Sequence, residues 1–120
     1  MNILVIDDEQ QIREILSDTI KSEFDCEVAQ AADGLDAFLM CREQKFDLII
    51  TDFKMPIMNG KSFYLSLKTK ENLNEHSKII FCTAFISEFK GAITDFEDVT
   101  FFEKPFKMGD LMDKIKEVLK

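Results

Sequence analysis

The chain has 120 residues, 46% of them hydrophobic, which is material for one globular domain with one core and leaves no room for a second. Its 23 acidic residues against 15 basic give a net charge of -8, which argues against nucleic acid as a direct partner and suits a divalent cation wherever the acid is clustered. No apolar run approaches membrane-spanning length, and the chain enters a strand at once without a secretion signal, so neither a membrane nor an exported product is expected.

Cys26, Cys41 and Cys82 are odd in number and lack metal-ligand spacing, so they read as small thiols in a reducing, cytoplasmic setting. Asn2 to Ile6 is a run rich in branched apolar residues, the composition of a parallel strand covered on both faces, and it ends in Asp7-Asp8-Glu9. Ile12, Ile15, Leu16, Thr19, Ile20 and Phe24 recur at helical spacing, and Asp8 with Gln11 resembles a capping box at the start of that helix. A short second strand covers Cys26 to Ala29. Asp33-Gly34 turns the chain, and Leu35, Phe38 and Leu39 mark a second helix.

Leu48 to Ile50 is the third strand, which stops at the carboxylate of Asp52. Pro56 and Asn59-Gly60 then break the chain, and a third helix carries Phe63, Tyr64 and Leu67. The polar stretch from Lys68 to Ser77 reads as helix end plus loop. Lys78 to Cys82 is a fourth strand ending at Thr83. Ile86, Phe89, Ile93 and Phe96 outline a short or shifted fourth helix, interrupted by Gly91. Thr100 to Glu103 is a fifth strand ending in Lys104-Pro105. Met108, Leu111, Met112, Ile115, Val118 and Leu119 give the last helix its apolar face.

Strands alternating with helices predict an α/β fold, a doubly wound parallel sheet with right-handed crossovers. Ligands of such sheets sit beyond the carboxyl ends of the strands, where the winding reverses. Asp7, Asp8, Asp52, Thr83 and Lys104 all follow strands and so belong to one edge. Taken singly, Asp52 and Thr83 are as well read as capping residues, and Lys104 as a neutralising charge. Together they are more specific. Two unit charges 4 Å apart repel by about 4 kcal/mol at an effective dielectric near 20, so three gathered carboxylates call for a cation or a proton. Oxygen donors without sulfur or imidazole suit Mg2+. Thr83 and Lys104 opposite such an ion can hold phosphoryl oxygens, which leaves Asp52 as the nucleophile.

The Asp7-Asp8 pair, Asp52 followed by Met55-Pro56 and Gly60, Thr83-Ala84, and Lys104-Pro105-Phe106 match in type, order and spacing the receiver domains of two-component response regulators, which the chain resembles over its whole length. The resemblance implies a single receiver domain over residues 1–120, of the flavodoxin-like kind, with strand order 2-1-3-4-5. It implies Asp52 as phosphoacceptor, and Mg2+ on Asp8, Asp52 and the main-chain carbonyl of Lys54, with Asp7 acting through water. Thr83 and Lys104 would contact the phosphoryl group, Phe101 would be the switch aromatic, and the Lys104-Pro105 bond would be cis. The implied donor is a sensor histidine kinase or a phosphotransfer protein. Phosphorylation would shift the face made by the fourth helix, fifth strand and last helix toward its partner-binding form.

The output would be an unknown partner protein or an output domain beyond this chain. A start at Met1 fits a stand-alone regulator and a receiver cut from a longer protein alike. Two departures from the family stand out. Lys54 and Phe85 occupy the flanks of the acceptor site. The Gly-Ala that the family places before its fifth strand stands earlier, at Gly91-Ala92. Seven of the twelve phenylalanines lie between Phe81 and Phe106. Phe85, Phe89, Phe96 and Phe101 would leave an apolar patch for a partner or a second copy on the output face. Two other classes fit less well. An aspartate-nucleophile phosphatase needs a second acid where Lys54 stands. A flavin-binding domain needs a phosphate-cradling loop where Asp7-Asp8-Glu9 would repel phosphate.

Overall fold

A computed structural model of the protein describes residues 1–55, 57–84 and 98–120. The apolar runs at residues 3–6, 48–50 and 79–82 are buried throughout, as strands covered on both faces must be. They form the middle of one parallel sheet. Its strands are β1 (Asn2–Ile6), β2 (Glu27–Ala31), β3 (Leu48–Asp52), β4 (Lys78–Thr83) and β5 (Val99–Glu103), in the order β2-β1-β3-β4-β5. This is the expected order. The winding therefore reverses between β1 and β3, which pair in register from Ile3 opposite Leu48 to Ile6 opposite Thr51.

Among the described residues four helices cover the sheet: α1 (Gln10–Glu23), α2 (Gly34–Glu43), α3 (Gly60–Thr69) and α4 (Met108–Val118). Alternate side chains along each strand feed two cores. Ile3, Val5, Ile50 and Ile80 pack with Leu16 and Ile20 of α1 and with Leu111 and Ile115 of α4. Leu4, Ile6, Ile49 and Phe81 pack with Phe38 of α2 and with Phe63 and Leu67 of α3. The helix predicted between Ile86 and Phe96 lies outside the described residues, as do Pro56, Phe85, Phe89 and Phe96.

Local chemistry starts two of the helices. Asp33 caps α2 by accepting the Asp36 N–H at 2.8 Å, and Asn59 caps α3 by accepting the Ser62 N–H at 2.9 Å. Gly60 follows because nothing larger fits. A Cβ there would lie 2.8 Å from Phe81 Cε1 and 2.9 Å from Phe53 Cδ2.

Several expectations need correction. The capping box on Asp8 does not form: Glu9 is the N-cap of α1 and makes no side-chain cap bond. The Glu9 N–H is drawn instead to the Asp7 carboxylate. Ile12 and Ile15, expected on the buried face of α1, are 40% and 58% exposed, because Leu16 and Ile20 already fill the space over the sheet. Leu35 and Leu39 of α2 are likewise exposed beside the buried Phe38. Strand β2 starts one residue later and ends two residues later than predicted, as its ladder with β1 continues to Ala31 opposite Ile6. The loop after α3, read as merely polar, contains a buried hub at Asn74.

Candidate functional site

The carboxyl ends of β1, β3, β4 and β5 lie side by side, and the residues singled out from the sequence meet there. Asp7 and Asp8 follow β1, Asp52 ends β3, Thr83 ends β4 and Lys104 follows β5. One carboxylate oxygen from each of Asp7, Asp8 and Asp52 lies within 4.8 Å of the others. Lys104 Nζ lies 3.2 Å from Asp52 Oδ2. Its own N–H donates to the Thr83 carbonyl at 2.8 Å, which ties the loop after β5 to the end of β4. The Lys104-Pro105 bond is cis. Thr83 is buried beside the Asp52–Cys82 pair of the β3–β4 ladder. Phe101 is partly buried, stacked on Phe81 with ring centroids 5.6 Å apart and tilted against Phe53 at 6.4 Å.

Burial acts most strongly on Asp7 and raises its carboxyl above the ordinary carboxylate range. The Asp52 and Asp8 charges push the same way, against the Glu9 N–H and Lys104. Burial opposes the charge on Lys104, but the Asp52 charge and hydrogen bond, with Asp7 behind them, outweigh it and raise the ammonium above its usual value. An amine held this firmly as a cation leaves the pocket able to meet an anion. Cys82 lies close by, but burial pushes its thiol up to about 12, so it offers no thiolate. The donor set is therefore oxygen only, which fits Mg2+ and not a thiophilic metal.

Two contributors carry no sequence signal as site residues. Arg13 of α1 donates from Nη1 to the Asp7 carbonyl at 2.7 Å and from Nε to Gln30 Oε1 at 3.3 Å, pinning the acidic loop between β1 and β2. Glu9 contributes its main-chain N–H to Asp7 Oδ1 at 2.9 Å. Only the fold brings Arg13 to Gln30 at this edge, whereas the Glu9 N–H is placed by its nearness to Asp7 in the chain.

The model of the response regulator receiver domain matches residues 3–116. The chain belongs to the response regulator receiver family. This receiver is 32% identical to the sporulation initiation phosphotransferase F of Bacillus subtilis, over 98% of this chain and 92% of that one. It is also 32% identical to the chemotaxis protein CheY of Halobacterium salinarum, over 98% and 95%. Among solved structures, CheY4 of Vibrio cholerae superposes with a TM-score of 0.82 at 27% identity, covering 98% of this chain and 97% of that one. The response regulator TrrA of Thermotoga maritima, solved in complex with Mg2+ and a beryllium fluoride group, gives 0.82 at 29% identity, with 98% and 97% covered. The protein is thus a receiver of two-component signalling, and its acidic pocket fits the family's phosphorylation site. No helix among the described residues is long and apolar enough to cross a membrane.

Proposed function

We propose that this receiver is a phosphorylation-controlled switch that accepts a phosphoryl group on Asp52 from a histidine kinase or a phosphotransfer protein. The observation that carries this reading is the position of the Asp52 carboxylate, between an acidic pair within 4.8 Å and a lysine ammonium at 3.2 Å. The complex of TrrA with Mg2+ and a beryllium fluoride group, and the phosphotransferase name of the Bacillus relative, support it.

Asp8, Asp52 and the main-chain carbonyl of Lys54 would hold Mg2+, with Asp7 acting through water. Bound there, Mg2+ would offset the negative charge gathered as phosphoryl oxygens approach the carboxylates. The rest falls to the chain's own residues. A carboxylate oxygen of Asp52 forms a bond to phosphorus as the phosphorus–nitrogen bond of the donor phosphohistidine breaks, and the electron pair stays on the imidazole. Lys104, already held as a cation, exchanges its Asp52 contact for the incoming oxygens. Thr83 donates its hydroxyl to another of them. Water later attacks phosphorus and returns free Asp52 and inorganic phosphate.

The switch runs through Thr83 and Phe101. Phe101 already rests on Phe81, so movement of Thr83 toward the phosphoryl group would stabilise a packing present beforehand. The readout would be binding of an output protein at the β5–α4 face, or self-association there. Sedimentation with and without a phosphoryl mimic separates the two.

Incubation with Mg2+ and acetyl phosphate, followed by intact-mass measurement, tests the acceptor. The expected result is one added phosphoryl group in the wild type and none in Asp52→Asn. Equal labelling of both would move the acceptor elsewhere.

A further inference from the structure

Thr51 is 1% exposed near the end of β3, in register between Ile6 and Phe81 on the face packed under α2 and α3. A buried hydroxyl among apolar neighbours needs a partner. Thr51 Oγ1 lies 2.9 Å from the main-chain carbonyl of Asp52 and 3.5 Å from Met55 Sδ. Both acceptors belong to the turn that presents Asp52. The same turn is tied by the Phe53 N–H to the Cys82 carbonyl at 3.2 Å and by the Gly60 N–H to the Phe53 carbonyl at 2.7 Å. Within it, the Lys54 N–H donates to Asp52 Oδ1 at 3.3 Å, so the turn itself orients the carboxylate.

One hydroxyl proton serves either acceptor or is shared between them. In each case Thr51 ties the turn that carries Asp52 back onto the sheet, through the Asp52 peptide at 2.9 Å, the Met55 sulfur at 3.5 Å, or both. The Asp52 carboxylate is rooted at that peptide, and the N–H that orients it lies two residues further on. A small rotation of the peptide would move both the root and the guide.

We propose that Thr51 is a positioning residue of this site, its hydroxyl setting the Asp52-to-Met55 turn so that the Asp52 carboxylate meets the Asp7–Asp8 pair around a divalent cation. This rests on the reading of Asp52 as ligand and acceptor given above. Thr51→Val removes the hydroxyl at nearly constant volume, and Thr51→Ser keeps it.

The test is calorimetric titration of Mg2+ into wild type and both variants, with thermal melts on the same samples. Thr51→Val is expected to raise the Mg2+ Kd about five- to tenfold, the range for losing a hydrogen bond that supports a metal ligand. Thr51→Ser is expected to return to within about twofold of wild type, since it restores the same donor. A purely structural role would move the melting temperature without this split. An unchanged Kd in Thr51→Val, or a Thr51→Ser as weak as Thr51→Val, overturns the proposal. If Thr51→Val does not fold, Thr51→Ala takes its place, because it also removes the hydroxyl and leaves both acceptors of the turn without that donor. A wild-type Mg2+ affinity there overturns the proposal equally. Failure of the wild type to bind Mg2+ and to gain mass from acetyl phosphate is a separate outcome. It removes the site reading itself, and this inference with it.

Discussion

Lys54 stands two residues past Asp52 with its side chain exposed, at the flank from which water would approach a phosphoryl group on Asp52. On the proposed reading its ammonium would add positive charge near the phosphoryl group, and its long stem would screen the phosphorus. A partly exposed charge pair of this kind is worth about 0.2 to 1 kcal/mol, so Lys54→Ala should hydrolyse its acyl phosphate about two- to fivefold faster. Loss of the phosphorylated mass over time measures this, and equal rates would reduce Lys54 to a solvent-facing charge. In the same loop Ile57 has φ 67° and is 78% exposed. A β-branched residue in the left-handed region costs about 1–2 kcal/mol, and its exposure recovers little of that by burial. Ile57→Asn should therefore stabilise the protein by about 1 kcal/mol in urea unfolding, since asparagine accepts that conformation. A loss of stability would mean that the isoleucine makes a packing contribution larger than its strain. The two neighbours differ in how visible they are beforehand. Lys54 announces itself by its distance from Asp52, whereas the strain at Ile57 depends on a backbone angle that no residue pattern encodes. Thr51 and Arg13 belong with Ile57. A hydroxyl inside a strand, or an arginine on a helix, points to a site only after β1 and β3 have been laid side by side.

Elements whose boundaries are set by apolar runs ending in charge are legible at this scale. β1 stops just before Asp7, and β3 and β4 end at Asp52 and Thr83, because the apolar run of each strand gives way there to a carboxylate or a hydroxyl that the sheet's interior would leave without water. Helix faces are less legible. The spacing of Ile12 and Ile15 is right for α1, but the sheet below accommodates only the Leu16–Ile20 side. The loop from α3 to β4 is the least legible, since its polar residues look like any solvated connection. There Asn74 is 1% exposed and fully engaged. Its Nδ2 donates to the Cys41 carbonyl at 2.9 Å and the Gln44 carbonyl at 2.7 Å. Its Oδ1 accepts the Phe46 N–H at 2.7 Å and the Ser77 hydroxyl at 2.8 Å. One side chain thus satisfies the end of α2, the entry to β3 and the entry to β4. Asn74→Ala strands several buried polar groups and should cost about 3 kcal/mol. The hub sits at the amino ends of the strands, across the sheet from Asp52. The folded fraction of the variant should therefore still gain a phosphoryl group from acetyl phosphate at the wild-type rate. A slowed reaction in folded protein would show that the two edges of the sheet communicate.

For the whole molecule, the acidic edge sets stability against function. Carrying a net charge of -8, the chain gathers three carboxylates where the sheet's winding reverses, with the Lys104 ammonium set against Asp52. Without a cation that cluster opposes folding, so Mg2+ should act as a folding ligand. At ten times its Kd, a ligand specific for the native state adds about 1.4 kcal/mol, which for a domain of this size raises the melting temperature by about 5 °C. Asp7→Asn separates charge from shape. The amide oxygen can still accept the Glu9 N–H that Asp7 Oδ1 now takes, while one buried negative charge is removed. In EDTA this variant should melt above wild type, by the equivalent of about 1 kcal/mol, chiefly because a carboxylate charge is no longer buried and secondarily because its repulsion by Asp52 and Asp8 is relieved. In Mg2+ the order should reverse, because the variant holds the ion poorly and gains little from it. Melting curves of both proteins in EDTA and across a Mg2+ series provide the check. If Asp7→Asn melts below wild type in both conditions, the Asp7 charge is stabilising in its own right, and a cation is not what the carboxylates are gathered to meet.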